Sequence, residues 1–291
     1  MHVLLAGSTG AIGPRLVRRL RDAGHEVTGL ARSRAQLNVD LLDRDAVLAA
    51  VDGREFDAII HQATAMRLGP ATHGQMVRTN QLRSEGTSTL LAVARETGAT
   101  KFVSASVFLG YGFLDHGVTP LTEEDAFGFR TGTSSDQVHS AILSNEQQVL
   151  AFGGTVLRYG LFYGDHAGAV ATASDFNGVI PLIHLEDAAA AAVSAIQRGK
   201  NTAYNIADDH PVSWREFQEA RAISEGRRFP VALPSWALRA AAPFGAELLT
   251  RTSMRLSTAK ARRDLRWKPE YPSFAEGLAA NMDIEDPGLS A

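Results

Sequence analysis

Three glycines spaced three apart, in Gly7-Ser8-Thr9-Gly10-Ala11-Ile12-Gly13, stand between an apolar run from Val3 to Ala6 and a helix-like run from Ile12 to Leu20. A strand, a tight turn and a helix in immediate succession leave the chain few ways to begin. Glycine admits backbone angles and close approach that a side chain forbids, and the helix aims unpaired N–H groups and the positive end of its dipole beyond the turn. That arrangement suits a pyrophosphate. The second strand-like run, His25 to Ala31, supplies the β-α-β context that separates a dinucleotide site from an ordinary turn.

Strand-like segments at 2–6, 26–31, 37–40, 57–61, 100–105 and 154–160 alternate with helix-like segments at 12–23, 43–51, 73–97 and 136–152. Continuous apolar runs such as Val3-Leu4-Leu5 and Ala58-Ile59-Ile60 suit strands covered on both faces. The pattern predicts an α/β fold, a doubly wound parallel sheet that binds ligands at the C-terminal ends of its strands. After residue 164 the pattern changes to a small, irregular stretch, an alanine-rich helix at 187–197, a late strand at 203–206, and helices broken by prolines. We read residues 1–164, completed by about 184–207, as the dinucleotide-binding domain, and residues 165–183 and 208–291 as a smaller C-terminal substrate lobe.

Composition excludes several classes. With 291 residues, 45% hydrophobic and 21% charged, the chain has the makings of a globular core. It contains no cysteine, which removes disulfides and thiolate chemistry. No apolar run approaches ~18 residues and a strand begins within two residues of the start, so we expect no membrane partner, no leader and a cytoplasmic location. Net charge is −3, yet residues 211–270 carry 12 Lys and Arg against 6 Asp and Glu. Those arginines lack interleaved aromatics, so solvated helix faces or attraction of an anionic substrate explain them better than nucleic acid.

With HVLLA before it and PRLVRRL after it, the GxxGxxG turn resembles that of the extended and atypical short-chain dehydrogenase/reductases, the NAD(P)-dependent epimerase/dehydratase family. Other segments resemble the family too: Asp57 to Ala63 its fourth strand and following loop, Thr79-Asn80 through Leu91 its next helix, and Leu157 to Gly164 its sixth strand. Ile183 to Ala188, Leu265 to Pro269 and Tyr271 to Leu278 continue the likeness to the end of the chain. The resemblance implies a Rossmann sheet, an NAD(P) cofactor, a small-molecule substrate and a homodimer formed through the helices near 73–97 and 136–152. There small residues such as Ala92, Ala94, Ser140 and Ala141 would allow close approach.

It also implies which residues meet the cofactor. Gly7, Thr9, Gly10, Ala11, Ile12 and Gly13 fall on the phosphate turn. The second strand ends in Arg32-Ser33-Arg34 where an NAD-selective chain would place an acid, and arginine pairs with a 2′-phosphate, so NADP is the expected cofactor. Asp40-Leu41 resembles an adenine-contacting pair, although Asp40 also reads as a helix N-cap. Gln62, Ala63, Asn80, Ser104 and Tyr159 fall along the ribose and nicotinamide path; Asn80 also reads as a helix-internal hydrogen bonder and Tyr159 as core.

The catalytic centre departs from the family. Ser106, in Lys101 to Gly112, aligns with the catalytic serine and would hydrogen-bond a substrate oxygen as it gains charge; its alternative is a turn hydroxyl. The family's Tyr and Lys four residues apart are missing: counted back from Glu146, their positions hold Val138 and Ile142. Tyr111, Tyr163 and His139 are the remaining proton-donor candidates, with lid packing the alternative for Tyr163 and a surface place for His139. His61 reads as structural, and His184 with Asp187 as a turn and helix cap, so no metal site is expected. The leading expectation is an NADP-dependent oxidoreductase acting on a small carbonyl or alcohol compound; the alternatives are a nucleotide-sugar epimerase or dehydratase, and a non-catalytic NADP sensor or scaffold.

Overall fold

The computed structural model describes residues 1–66, 70–128, 130, 132–164 and 171–284, with side chains up to residue 280. The apolar runs form β1 (His2–Ala6), β2 (Glu26–Ala31), β3 (Leu37–Asn38), β4 (Ala58–His61), β5 (Lys101–Val107), β6 (Thr155–Tyr159) and a last strand, Ala203–Ile206. These seven make one sheet, running from β3 through β2, β1, β4, β5 and β6 to the last strand, and every pairing is parallel. Chain order moves outward in opposite directions from β1 and β4, so the crevice of a doubly wound sheet opens between their C-terminal ends. Register brings Ala6 beside Leu30 and His61, and His61 beside Ser104, which gathers the turns after β1 and β4 and the end of β5 at one edge.

The helices are α1 (Gly13–Asp22), α2 (Arg44–Val51), α3 (Val77–Gln81), α4 (Thr87–Thr97), α5 (Asp136–Phe152) and α6 (Leu185–Arg198), followed by shorter helices. Alternate residues of each strand serve opposite faces. Val3, Leu5, Ile60 and Leu157 pack with Leu16 and Leu20 of α1 and the alanines of α6, which let that helix lie close to the sheet. Leu4, Ile59 and Val156 pack with Val47 of α2, Leu90 of α4 and Val149 of α5. Glu186 clamps α6 to α1 by accepting from Arg18 at 2.6 Å and Arg19 at 3.0 Å. Downstream, Asp187 accepts the backbone N–H groups of Glu270 at 2.7 Å and Tyr271 at 2.9 Å, which ties the C-terminal segment back to the sheet.

The single helix expected over 73–97 is instead a 3₁₀ turn (His73–Met76), α3, a π turn (Leu82–Gly86) and α4. Ser84 Oγ donates to the Asn80 carbonyl at 3.0 Å and Thr87 Oγ1 to the Arg83 carbonyl at 2.6 Å, so side chains compete with the regular ladder. A separate apolar cluster forms around Ile180, Leu182, Trp214, Phe217, Leu238 and Leu249, within the stretch read as a substrate lobe. Residues 165–170 of that stretch lie outside those described.

Candidate functional site

The glycines at the end of β1 are needed for space. At Gly7, whose φ is 90°, a Cβ would stand 2.7 Å from the Ala63 nitrogen, so the turn lies against the loop after β4. At Gly13 a Cβ would stand 2.3 Å from the Ser8 carbonyl oxygen. Thr9, Gly10 and Ala11 are exposed, while Ile12 is buried and anchors the helix start. No side chain caps α1 and its first turn holds no acid, which leaves its N-terminus to a ligand anion.

Arg32, Ser33 and Arg34 are exposed beyond β2, and among the described residues neither arginine has a carboxylate partner. Asp40 pairs with Arg78 and also accepts from the Leu42 N–H at 3.2 Å. The N-cap of α2 is Asp43, which accepts from Ala46 N at 3.1 Å, so the capping alternative for Asp40 is corrected. Leu41 is buried beneath Gly86, where an added Cβ would come within 3.0 Å of Leu41 Cδ2. Gln62 reaches Tyr159 Oη at 3.4 Å, and that hydroxyl donates to the Ala188 carbonyl at 3.2 Å, placing Tyr159 in the sheet core with its pKa raised by burial. Ala63 is half-buried, its N–H bonded to His61 Nδ1 at 3.3 Å. Ser104 is buried against Asn145, which donates to its Oγ at 2.8 Å. Ser8 Oγ, Asn80 Oδ1 and Arg83 Nη1 are buried without a hydrogen-bond partner among the described residues. A glycine turn packed against the loop after β4 and an uncapped helix N-terminus behind it suit the phosphates of a dinucleotide, so the residues present fit that group.

The reacting side is organised by a buried charge pair. Glu146 on α5 receives Arg158 of β6 through Nε at 3.1 Å and Nη2 at 2.8 Å. Ser106, at the end of β5, donates its hydroxyl to Glu146 Oε1 at 2.5 Å. Arg158 Nη1 donates to Tyr111 Oη at 3.0 Å, Tyr111 donates to Asn205 Oδ1 at 2.8 Å, and the guanidinium stacks 3.6 Å above the Phe127 ring. Burial pushes the Tyr111 phenol up to about 12. Tyr163 donates to Asp208 Oδ2 at 2.8 Å; burial first, then the carboxylate, raises its pKa. His139 is fully buried with its ring 5.5 Å from Phe113, which corrects the surface alternative: α5 turns it into the apolar cluster of Phe113, Val138, Ile142 and Phe244. The structure therefore brings Ser106 and Tyr111 into one network through Glu146 and Arg158, and places Tyr163 and His139 in two other clusters. Sequence reasoning missed this network; an arginine directly after the apolar Val156 and Leu157 in a strand was the available sign of a buried partner. His61 is buried, its Nε2 on the Leu82 carbonyl at 3.1 Å, and burial lowers its pKa to about 4.

A parallel doubly wound sheet with a glycine turn between its first strand and an uncapped helix defines an α/β protein of the Rossmann type. The NAD dependent epimerase/dehydratase family model matches residues 3–173, and the chain belongs to that family. Over 308 aligned residues it is 33% identical to a Streptomyces protein named 3-diazoavenalumate denitrifying reductase, covering 96% of this chain and 99% of that one. In fold it is similar to human epimerase family protein SDR39U1, solved with NADPH, at 20% identity and TM-score 0.79 over 97% of this chain and 99% of that one. UDP-glucose 4-epimerase of Thermotoga maritima, solved with UDP-glucose, matches at 21% identity and TM-score 0.78 over 97% and 98%.

Proposed function

We propose that this chain is an NADP-dependent reductase of a small electrophile whose reduction needs no proton from the protein. The observation that carries the reading is the state of the proton-donor positions. Val138 and Ile142 are buried hydrocarbons, both tyrosine candidates hold their protons at raised pKa inside hydrogen-bonded clusters, and the Ser106 proton is engaged by Glu146. Carbonyl reduction needs an acid at the oxygen. A bound reduced nicotinamide supplies a hydride. An aryl diazonium carbon that accepts a hydride loses its C–N bond, dinitrogen leaves with that bonding pair, and the charge balances without a proton. The name of the Streptomyces relative describes a reductase that removes nitrogen from a diazo compound, which supports the same class here.

In this reading Gly7 to Gly13 and α1 hold the phosphates, Arg32 and Arg34 hold the 2′-phosphate, and Gln62, Ala63, Asn80, Ser104 and Tyr159 border the ribose and nicotinamide path. Ser106, fixed by Glu146, orients the substrate at the strand end, and the lobe around Trp214 and Phe217 encloses it. Assembly through the helices at 73–97 and 136–152 into a cytoplasmic homodimer accompanies the reading, but Ala92, Ala94 and Ala141 are buried within the protomer, so of the small residues expected there only Ser140, half-buried, remains to meet a partner. Among the described residues no helix is long and apolar enough to cross a membrane.

The test offers NADPH with an aryl diazonium salt, and separately with aldehydes and ketones, while following reduced-nicotinamide absorbance and released nitrogen. We expect deuterium from labelled NADPH on the aryl carbon, none from heavy water, and no acid limb in the pH profile. Turnover of carbonyl compounds alone, with such a limb, would return the assignment to a carbonyl reductase; tight NADPH binding without turnover of either class would make the chain a sensor.

A further inference from the structure

Arg83 is buried, and no counterion faces it among the described residues. Its side chain lies on the π turn, 6% exposed, Nη1 has no partner, and among the described residues no carboxylate pairs with it. Burial alone pushes its pKa down to about 10, the direction expected when nothing compensates the charge. A desolvated cation costs several kcal/mol unless it is paired. The other buried arginine of the sheet region, Arg158, follows that rule with Glu146.

Two observations at His61 place Arg83 near the C-terminal end of β4, and Asn80 adds a second unpaired polar group on its side of the helix. The carbonyl of the preceding Leu82 receives His61 Nε2 at 3.1 Å, at the C-terminal end of β4. The charge of Arg83 acts on the His61 ring, lowering its pKa after burial, so the guanidinium is close to that strand end. Asn80, three residues earlier and therefore on the same side of the helix, has its own buried and unpartnered Oδ1. Turns of π form inside helices cost regular hydrogen bonding and concentrate at functional sites.

We propose that Arg83 is an oxyanion-binding residue, held uncompensated in the free protein and completed by a phosphate of the dinucleotide or by a carboxylate of the substrate. It takes its anion from the β4 side, opposite the N-terminus of α1. Uncompensated in the free protein, it makes that state less stable than an apolar replacement would, and binding relieves the penalty.

The inference rests on the cofactor reading for its phosphate source, and the experiment separates the two. Arg83→Met and Arg83→Lys are compared with wild type by thermal melting alone, with inorganic pyrophosphate, with benzoate and with NADPH, and by calorimetry with NADPH. We expect Arg83→Met to melt at or above the wild-type temperature without ligand and to lose the shift given by one of the two anions. If pyrophosphate is the anion lost, NADPH affinity falls about ten- to a hundredfold, the worth of one charge-assisted hydrogen-bonded pair, with Arg83→Lys between. If benzoate is lost and NADPH is not, the anion is a carboxylate of the substrate. Wild type that binds an anion through Arg83 but not NADPH would sink the cofactor reading and keep this one. Unfolding of both variants, or a lower melting temperature with every ligand shift intact, would make Arg83 a structural residue and overturn the proposal.

Discussion

Arginine at the end of β2 concerns a single side chain and one phosphate. Arg32 is exposed and has no partner among the described residues, so in the proposed reading a 2′-phosphate would meet a guanidinium open to it. We expect NADP to bind more tightly than NAD by about ten- to a hundredfold, and Arg32→Ala to remove most of that preference, read by calorimetry with each cofactor. Equal wild-type affinities would refute the assignment. At this scale the sequence was readable where a backbone constraint was the signal, as at Gly7 and Gly13. It was not readable for Tyr111, Tyr163 and His139, because which way a side chain faces is set by partners distant in sequence. Tyr111, for example, bonds to Asn205.

Between elements, β5, β6 and α5 are joined by Ser106, Glu146 and Arg158. Removing Glu146 would strand a buried guanidinium, so Glu146→Ala should cost about 3–5 kcal/mol, while the double substitution Glu146→Leu with Arg158→Met should recover most of it. Urea unfolding midpoints check this; a single variant within about 1 kcal/mol of wild type would mean the pair is not compensating buried charge. Ser106→Ala leaves the pair itself intact and should lower turnover much more than stability. Helix and strand placement was largely legible from apolar runs and their alternation. The interruption at Leu82–Gly86 was not, since its causes are side-chain bonds to the backbone and the approach of Leu41, neither of which has a period.

Across the whole molecule, two buried groups with large shifts, Asp208 and His61, tilt stability in opposite directions as pH changes. Burial raises the Asp208 carboxyl to about 8, above its unfolded value near ~3.9. From about pH 4 to 8 the unfolded chain therefore holds fewer protons at this group than the folded one, and stability falls as pH rises. Burial lowers His61 to about 4, below its unfolded value near ~6.5, so between those values the unfolded chain holds more protons and stability rises with pH. The two slopes oppose each other below about pH 6.5, and above it Asp208 acts alone. Melting temperature should change little from these groups between pH 5 and 6 and decline between about pH 6.5 and 8, and Asp208→Asn should abolish that decline. An identical decline in the variant would assign it to other groups.

The sequence by itself determined the doubly wound sheet and the place of its crevice, because apolar periodicity and the glycine turn are local and each restricts the backbone directly. It also showed that Val138 and Ile142 can give no proton. Only the tertiary structure decided that Ser106 answers to Glu146, that Tyr163 answers to Asp208, and that no carboxylate among the described residues pairs with the buried Arg83. Those outcomes depend on burial and on partners brought from far along the chain. Desolvation and charge pairing exist only once the elements have packed.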